Sequence, residues 1–156
     1  KNVTLYTDGA CSNNLGPGGY GAVLLYDSHR KELSGGYRRT TNNRMEILAA
    51  IVGLETLKEP CSVTLFSDSQ YLVNAIEKGW ARRWQANGWM RNRKEKAINP
   101  DLWDRLLELC KIHTVQFEWV RGHVGHSENE RCDELATAAV RSSNLAVDEG
   151  YKRESP

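Results

Sequence analysis

No stretch of the sequence approaches the roughly 20 consecutive apolar residues that cross a bilayer, and no charged-then-apolar leader opens it. A membrane-spanning or exported protein is therefore not expected. The four cysteines, Cys11, Cys61, Cys110 and Cys132, form neither a C-x-x-C pair nor a zinc-ligand spacing, which argues against a disulfide framework or zinc finger and suits reduced thiols in a cytoplasm. They read as small buried apolar groups. Charge of one sign is not in excess either. Lys and Arg number 21 against 20 Asp and Glu, so any nucleic-acid binding must come from where the cations sit. Internal repeats and low-complexity segments are absent. What remains is 156 residues, 40% of them hydrophobic and 26% charged, which fits one globular domain able to bury most of its apolar surface.

Val3, Leu5 and Thr7 alternate with Thr4, Tyr6 and Asp8, the period of a strand ending near Gly9. The turn "NNLGPGGYG" feeds a buried-looking strand, "YGAVLLY", with "KELSGGYRR" as its hairpin partner. In "TTNNRMEILAAIVGLETLKE", Thr41, Asn42 and Asn43 offer N-cap chemistry, and apolar residues from Met45 to Leu57 cover almost every face. That pattern predicts a helix packed into a core. Pro60 stops it. "SVTLFSD" then makes a strand ending on Asp68, and "SQYLVNAIEKG" a helix closed by Gly79. After an irregular stretch over residues 80–98, "PDLWDRLLELCK" predicts a helix, "TVQFEWV" a strand and "ENERCDELATAAV" a last helix. Beyond about Arg141 the polar chain is expected to be loosely held. The order of elements predicts an α/β protein with a five-stranded mixed sheet: three antiparallel strands, two more added in parallel through helical crossovers, and helices on the faces.

Asp68 ends a strand, where ligands of open α/β sheets bind, and Asp8 is placed close to the same centre. Glu46 falls in the first turn of the apolar helix, among the core-like Met45, Ile47 and Leu48. Acidic groups in apolar surroundings cost free energy unless a cation compensates them. Oxygen ligands without His or Cys spacing favour Mg²⁺ or Mn²⁺ over zinc. Three or four converging carboxylates would suit two ions about 4 Å apart, an arrangement that activates a water and stabilises a leaving oxygen in phosphodiester hydrolysis.

Four blocks, "YTDGACSNNLGPGGYGAVL", "TTNNRMEILAAIVGLE", "FSDSQYLVNAI" and "WVRGHVGHSENERCDELA", resemble the successive signature blocks of the type 1 ribonuclease H family, in its order and spacing. The resemblance runs from about Val3 to Val140. It implies a ribonuclease H-like fold and an endoribonuclease that hydrolyses the RNA strand of RNA·DNA hybrids, leaving 5′-phosphate and 3′-hydroxyl ends. It places the metal-binding carboxylates on Asp8, Glu46, Asp68 and Asp133, where helix spacing alone leaves Asp133 level with Glu130 and Glu134. The mobile-loop histidine of the family falls on His123, while His126 is read as structural.

The same resemblance implies contacts to the RNA strand from Cys11, Asn14, Asn42 and Gln70. Amides both donate and accept hydrogen bonds, as reading a 2′-hydroxyl requires. It implies a pocket for a DNA-strand phosphate at Arg39, Thr41 and Asn99. Lys78, Arg82, Arg83, Arg91, Arg93, Lys94 and Lys96, with Trp80, Trp84 and Trp89 between them, read as a basic arm over about 78–98 and resemble the family's handle. The expected division is a catalytic domain over 1–140, including that handle, and a C-terminal tail over 141–156. No separate hybrid-binding module is expected ahead of the first block. Two Mg²⁺ ions with substrate, Mn²⁺ as a substitute, a monomer as the default and a cytoplasmic setting complete the expectation. Two rivals share the fold, a module that holds hybrids without cutting and a DNA-cleaving transposase or resolvase relative.

Overall fold

The computed structural model describes residues 1–13, 15–121, 127–142 and 144–154, of which 152–154 by backbone alone. Five strands form one sheet in the order β3-β2-β1-β4-β5. β1 (Asn2–Cys11), β2 (Gly16–Tyr26) and β3 (His29–Thr40) make the antiparallel meander, and β4 (Ser62–Ser67) and β5 (Thr114–Trp119) join β1 in parallel. The expected mixed sheet is the one observed.

α1 (Asn42–Glu55) is capped by Thr41, whose Oγ1 accepts from the Arg44 amide at 3.1 Å. Capping by a threonine hydroxyl satisfies one of the orphan donors of the first turn. Met45 through Ile51 are all buried, as the nearly unbroken apolar run requires. α2 (Gln70–Glu77) starts in the same way, with the Ser69 hydroxyl accepting from Leu72 N at 3.1 Å. α4 (Pro100–Ile112) starts on a proline, whose missing N–H costs nothing at that position.

Two glycines set how closely the helices approach the sheet. A Cβ on Gly9 would lie 2.6 Å from the Glu46 amide nitrogen, so only glycine lets the first turn of α1 rest on β1. On the other face, a Cβ on Gly21 would lie 2.4 Å from Cys132 O of α5 (Ser127–Val140). Gly21 pairs with Asp8 across β1 and β2, and directly opposed residues share a face. Asp8 therefore points toward α5 while Leu5 and Gly9 face α1.

Residues 16–21, expected to be part of a turn, belong to β2, and two further regions differ from expectation. Residues 80–98 contain a helix, α3 (Trp80–Ala86), followed by a turn closed by the Met90 and Lys96 bridge. Trp80, Trp84 and Trp89 are partly buried against the core, and the Trp84 and Trp103 rings meet edge to face at 6.3 Å. The helix has no apolar stripe to announce it because tryptophan supplies its contact area. Residues 145–151, expected to be loosely held, are fastened to the domain. Arg38 N donates to Ala146 O (2.8 Å), Ala146 N donates to Gly36 O (3.1 Å), Asp148 is buried, and α6 (Glu149–Glu154) follows. Composition alone hides this, since the segment is held by backbone pairing and by side chains distant in sequence. Among the described residues no helix is long and apolar enough to cross a membrane.

Candidate active site

Parallel pairing aligns Thr7 with Ser67, so the next residue on β1, Asp8, and the residue after β4, Asp68, emerge side by side. The first turn of α1 brings Glu46 in through the gap at Gly9. Ligand oxygens of Asp8, Glu46 and Asp68 lie within 4.8 Å of one another. Asp8 and Glu46 are 3% and 5% exposed, and Asp68 is half-buried. Gly9 N donates to Asp8 Oδ1 at 2.9 Å. Glu46 Oε1 is buried without a hydrogen-bond partner.

Burial, then the neighbouring charge of Asp68, pushes the Asp8 carboxyl up to about 8. Burial, then the charges of Asp8 and Asp68, drives Glu46 well above the carboxylate range. Asp133, half-buried on α5, lies outside the 4.8 Å group but adds its charge at Asp8. An all-oxygen donor set with like charges crowded together and a buried oxygen left unpaired fits a hard divalent cation.

The raised carboxyls make metal-free stability depend on pH. For Asp8 the folded value of about 8 stands above an unfolded value near 3.9, so the folded state binds the proton more tightly. The associated stability is fully present below about pH 4 and is lost as pH rises through about 8. Asp8→Asn should therefore stabilise the metal-free protein at pH 9 by at least about 1 kcal/mol, roughly 2–4 °C in Tm, with much less gain at pH 5. Thermal unfolding in EDTA at the two pH values checks this. An equal shift at both would contradict it.

Three other candidates, Cys11, Asn42 and Gln70, lie at the same end of the sheet. Cys11 ends β1, where its thiol donates to Thr40 O at 3.3 Å. Asn42 and Gln70 are the first residues of α1 and α2, Gln70 exposed and Asn42 half-buried. Asn14, His123 and His126 lie outside the described residues.

Thr41 caps α1. Arg39 is exposed, its guanidinium 5.9 Å from the centre of the Tyr151 ring. Asn99 is buried with φ 64°, and its Oδ1 accepts from Arg44 Nη1 at 3.2 Å. In the expected handle, Lys78, Arg82, Arg83, Arg91, Arg93, Lys94 and Lys96 are all exposed. Lys78 Nζ lies 5.6 Å from the Trp80 ring, and Arg91 pairs with Glu95 at 3.0 Å.

Two features of this region went unread in the sequence. Trp119, 44% exposed, donates from Nε1 to Asp68 O at 3.1 Å and so fixes the backbone of a site carboxylate. The buried Arg44 and its acidic partners, buried Asp148 and half-buried Asp101, form a cluster beside Asn99. For Arg44 a signal existed, a charge inside an apolar helix two residues before Glu46. For Trp119 and Asp148 none did.

Known proteins resemble this chain throughout. A family model for RNase H matches residues 1–141. The ribonuclease H of Desulforamulus reducens is 70% identical over 148 residues, covering 95% of this chain and 93% of that protein. The ribonuclease HI of a Synechocystis strain is 62% identical over 152 residues, covering 97% and 95%. Among solved structures, LC9-RNase H1, a type 1 RNase H with the type 2 active-site motif, superposes with a TM-score of 0.79 at 29% identity, covering 99% of this chain and 81% of that one. RNase H1 from the archaeon Halobacterium salinarum gives a TM-score of 0.68 at 27% identity, covering 90% and 98%. The match runs through all five strands and on to the end of α5, and the chain belongs to the ribonuclease H family.

Proposed function

We propose that this protein is an endoribonuclease that hydrolyses the RNA strand of RNA·DNA hybrids, leaving 5′-phosphate and 3′-hydroxyl ends. The observation that carries the reading is the trio of Asp8, Glu46 and Asp68, gathered at the end of two parallel strands with the first residues of α1 and α2 beside it. Asp8, Glu46, Asp68 and Asp133 would hold Mg²⁺, or Mn²⁺ in its place. When bound, two such ions supply activation of the attacking water and stabilisation of the departing 3′-oxygen. Glu46, with its unpaired Oε1, has the strongest need of a cation. Asn42 and Gln70, with Cys11 and Asn14, would read the 2′-hydroxyls and orient the RNA strand. His123, its neutral imidazole able to accept a proton, would assist turnover near neutral pH. Arg39, Thr41 and Asn99 would hold a phosphate of the DNA strand.

Labelled RNA·DNA, RNA·RNA and DNA·DNA duplexes, each offered with Mg²⁺ and with EDTA, test the reading. Cutting confined to the RNA of the hybrid and dependent on Mg²⁺ is expected. Cutting of DNA would favour a transposase-like relative, and binding without cutting would favour a hybrid-holding module.

The exposed cations of the handle should contribute binding far from the chemistry. Neutralising Arg82, Arg83, Arg91 and Lys94 together should raise KM more than it lowers kcat, and each lost phosphate contact should flatten the salt slope by about 0.9. KM measured at low and high salt checks this. An unchanged KM at both would leave these residues as a solvated face.

A further inference from the structure

Arg44 is 2% exposed, and every N–H of its guanidinium is used. Nη1 and Nη2 donate to Asp101 Oδ1 and Oδ2 at 3.0 and 2.6 Å. Nε and Nη2 donate to Asp148 Oδ2 and Oδ1 at 2.8 and 3.0 Å, and Nη1 donates to Asn99 Oδ1 at 3.2 Å. Arginine carries five such donors in a rigid fork, so this arrangement saturates it. Thr40 Oγ1 donates to Asp148 Oδ2 at 2.6 Å, and Tyr151 N to Asp148 Oδ1 at 3.2 Å.

The cluster joins parts of the chain far apart in sequence. Arg44 belongs to the first turn of α1, Asn99 and Asp101 to the start of α4, Thr40 to the end of β3, and Asp148 to the C-terminal segment. That segment is fastened along β3 by Arg38 N to Ala146 O (2.8 Å) and Arg38 Nε to Leu145 O (3.1 Å). Three residues past Asp148, the Tyr151 ring lies beneath the guanidinium of Arg39. One strap thus reaches two members of the Arg39, Thr41 and Asn99 group by separate routes.

The consequence for Asn99 is directional. A guanidinium has no acceptor, so the Asn99 amide must turn its oxygen toward Arg44 and its NH₂ edge away. An NH₂ edge is the one that binds an anion. Its backbone is held at φ 64°, a conformation an asparagine tolerates but does not prefer. The orientation therefore depends on the position of Arg44, which depends on Asp148.

We infer that the C-terminal segment, through Asp148 and Tyr151, is a positioning element for a phosphate of the DNA strand at Arg39, Thr41 and Asn99. The inference rests on the proposed role of those three residues. Asp148 and Tyr151 touch neither the substrate nor the carboxylates in this scheme. They set the donor geometry of the residues that do, so their loss raises KM and leaves kcat nearly unchanged.

Steady-state cleavage of a short RNA·DNA hybrid in Mg²⁺, with one DNA phosphate at a time replaced by a neutral methylphosphonate, tests this well below the melting temperature of each variant. For the unaltered protein, one position should raise KM about tenfold, or about 1.4 kcal/mol, with kcat within about twofold. Asp148→Asn should raise KM about tenfold on the unmodified hybrid and be nearly insensitive to the methylphosphonate at that position. Tyr151→Leu, which leaves the Arg44 ion pairs intact, should show the same loss of sensitivity in smaller measure, and it carries the test if Asp148→Asn does not fold. A full tenfold methylphosphonate penalty in both variants would overturn the positioning role while keeping the phosphate site. No sensitive position in the unaltered protein would overturn the phosphate site itself, and the inference with it.

Discussion

Replacing Asp8 with asparagine abolishes cleavage of a hybrid duplex and leaves folding and hybrid binding in place. The amide has nearly the same size, keeps an acceptor for the Gly9 amide, and removes one negative charge from a site where Asp8, Glu46 and Asp68 share a 4.8 Å sphere. A divalent cation then meets too little opposing charge, and the attacking water and leaving oxygen lose their stabilisation. The expected fall in kcat is about three orders of magnitude or more, on the order of 4 kcal/mol. Because the same substitution relieves like-charge crowding, loss of activity accompanies a gain in metal-free stability at pH 9. That pairing separates a ligand from a core residue. A variant retaining more than about a tenth of kcat, under roughly 1.4 kcal/mol of loss, would contradict the assignment.

Arg44→Met destabilises the protein by about 3–5 kcal/mol. A thioether fills much of the volume but leaves the carboxylates of Asp101 and Asp148 facing one another without a cation, and the Asn99 oxygen without its donor. Burial pushes Asp101 up, yet the hydrogen bonds and charge of Arg44 outweigh it and hold the carboxyl below its ordinary value. A depressed folded value contributes stability that is present above the unfolded pKa, near 3.9, and lost as pH falls through the folded one. The gap between Arg44→Met and the unaltered protein should thus narrow in strong acid. Urea unfolding at pH 7 and pH 3 measures both. A loss below about 1 kcal/mol at pH 7 would mean the cluster relaxes around the missing charge.

The strands and main helices were legible because their periods are clean: two-residue alternation in β1 and a nearly unbroken apolar run in α1, with Thr41 poised as its cap. Glu46 was conspicuous as an acid inside that apolar run, and the structure does bring it to Asp8 and Asp68. Asp133 is different. On α5 it is one acid among several, and only resemblance to a family singles it out; in the structure it reaches the trio by its field at Asp8.

Other features escaped for a common reason. Arg44 and Asp148 are 104 residues apart, and nothing local to Asp148 in a polar stretch tells of a buried partner. α3 is stabilised by tryptophans folded back onto the core, a pattern that resembles a charged, exposed arm until the rings are placed. Gly9 and Gly21 appeared only as turn-like residues. Their part is to let helix backbones approach the sheet closely enough to assemble the acids.

Whether Asp8, Glu46 and Asp68 form a cation cage is decided by calorimetric titration of Mg²⁺ into the metal-free protein and into Asp8→Asn at neutral pH, without nucleic acid. Saturable binding to the unaltered protein that weakens at least about tenfold in the folded variant, or about 1.4 kcal/mol, is the predicted result. Equal binding by both proteins would contradict it.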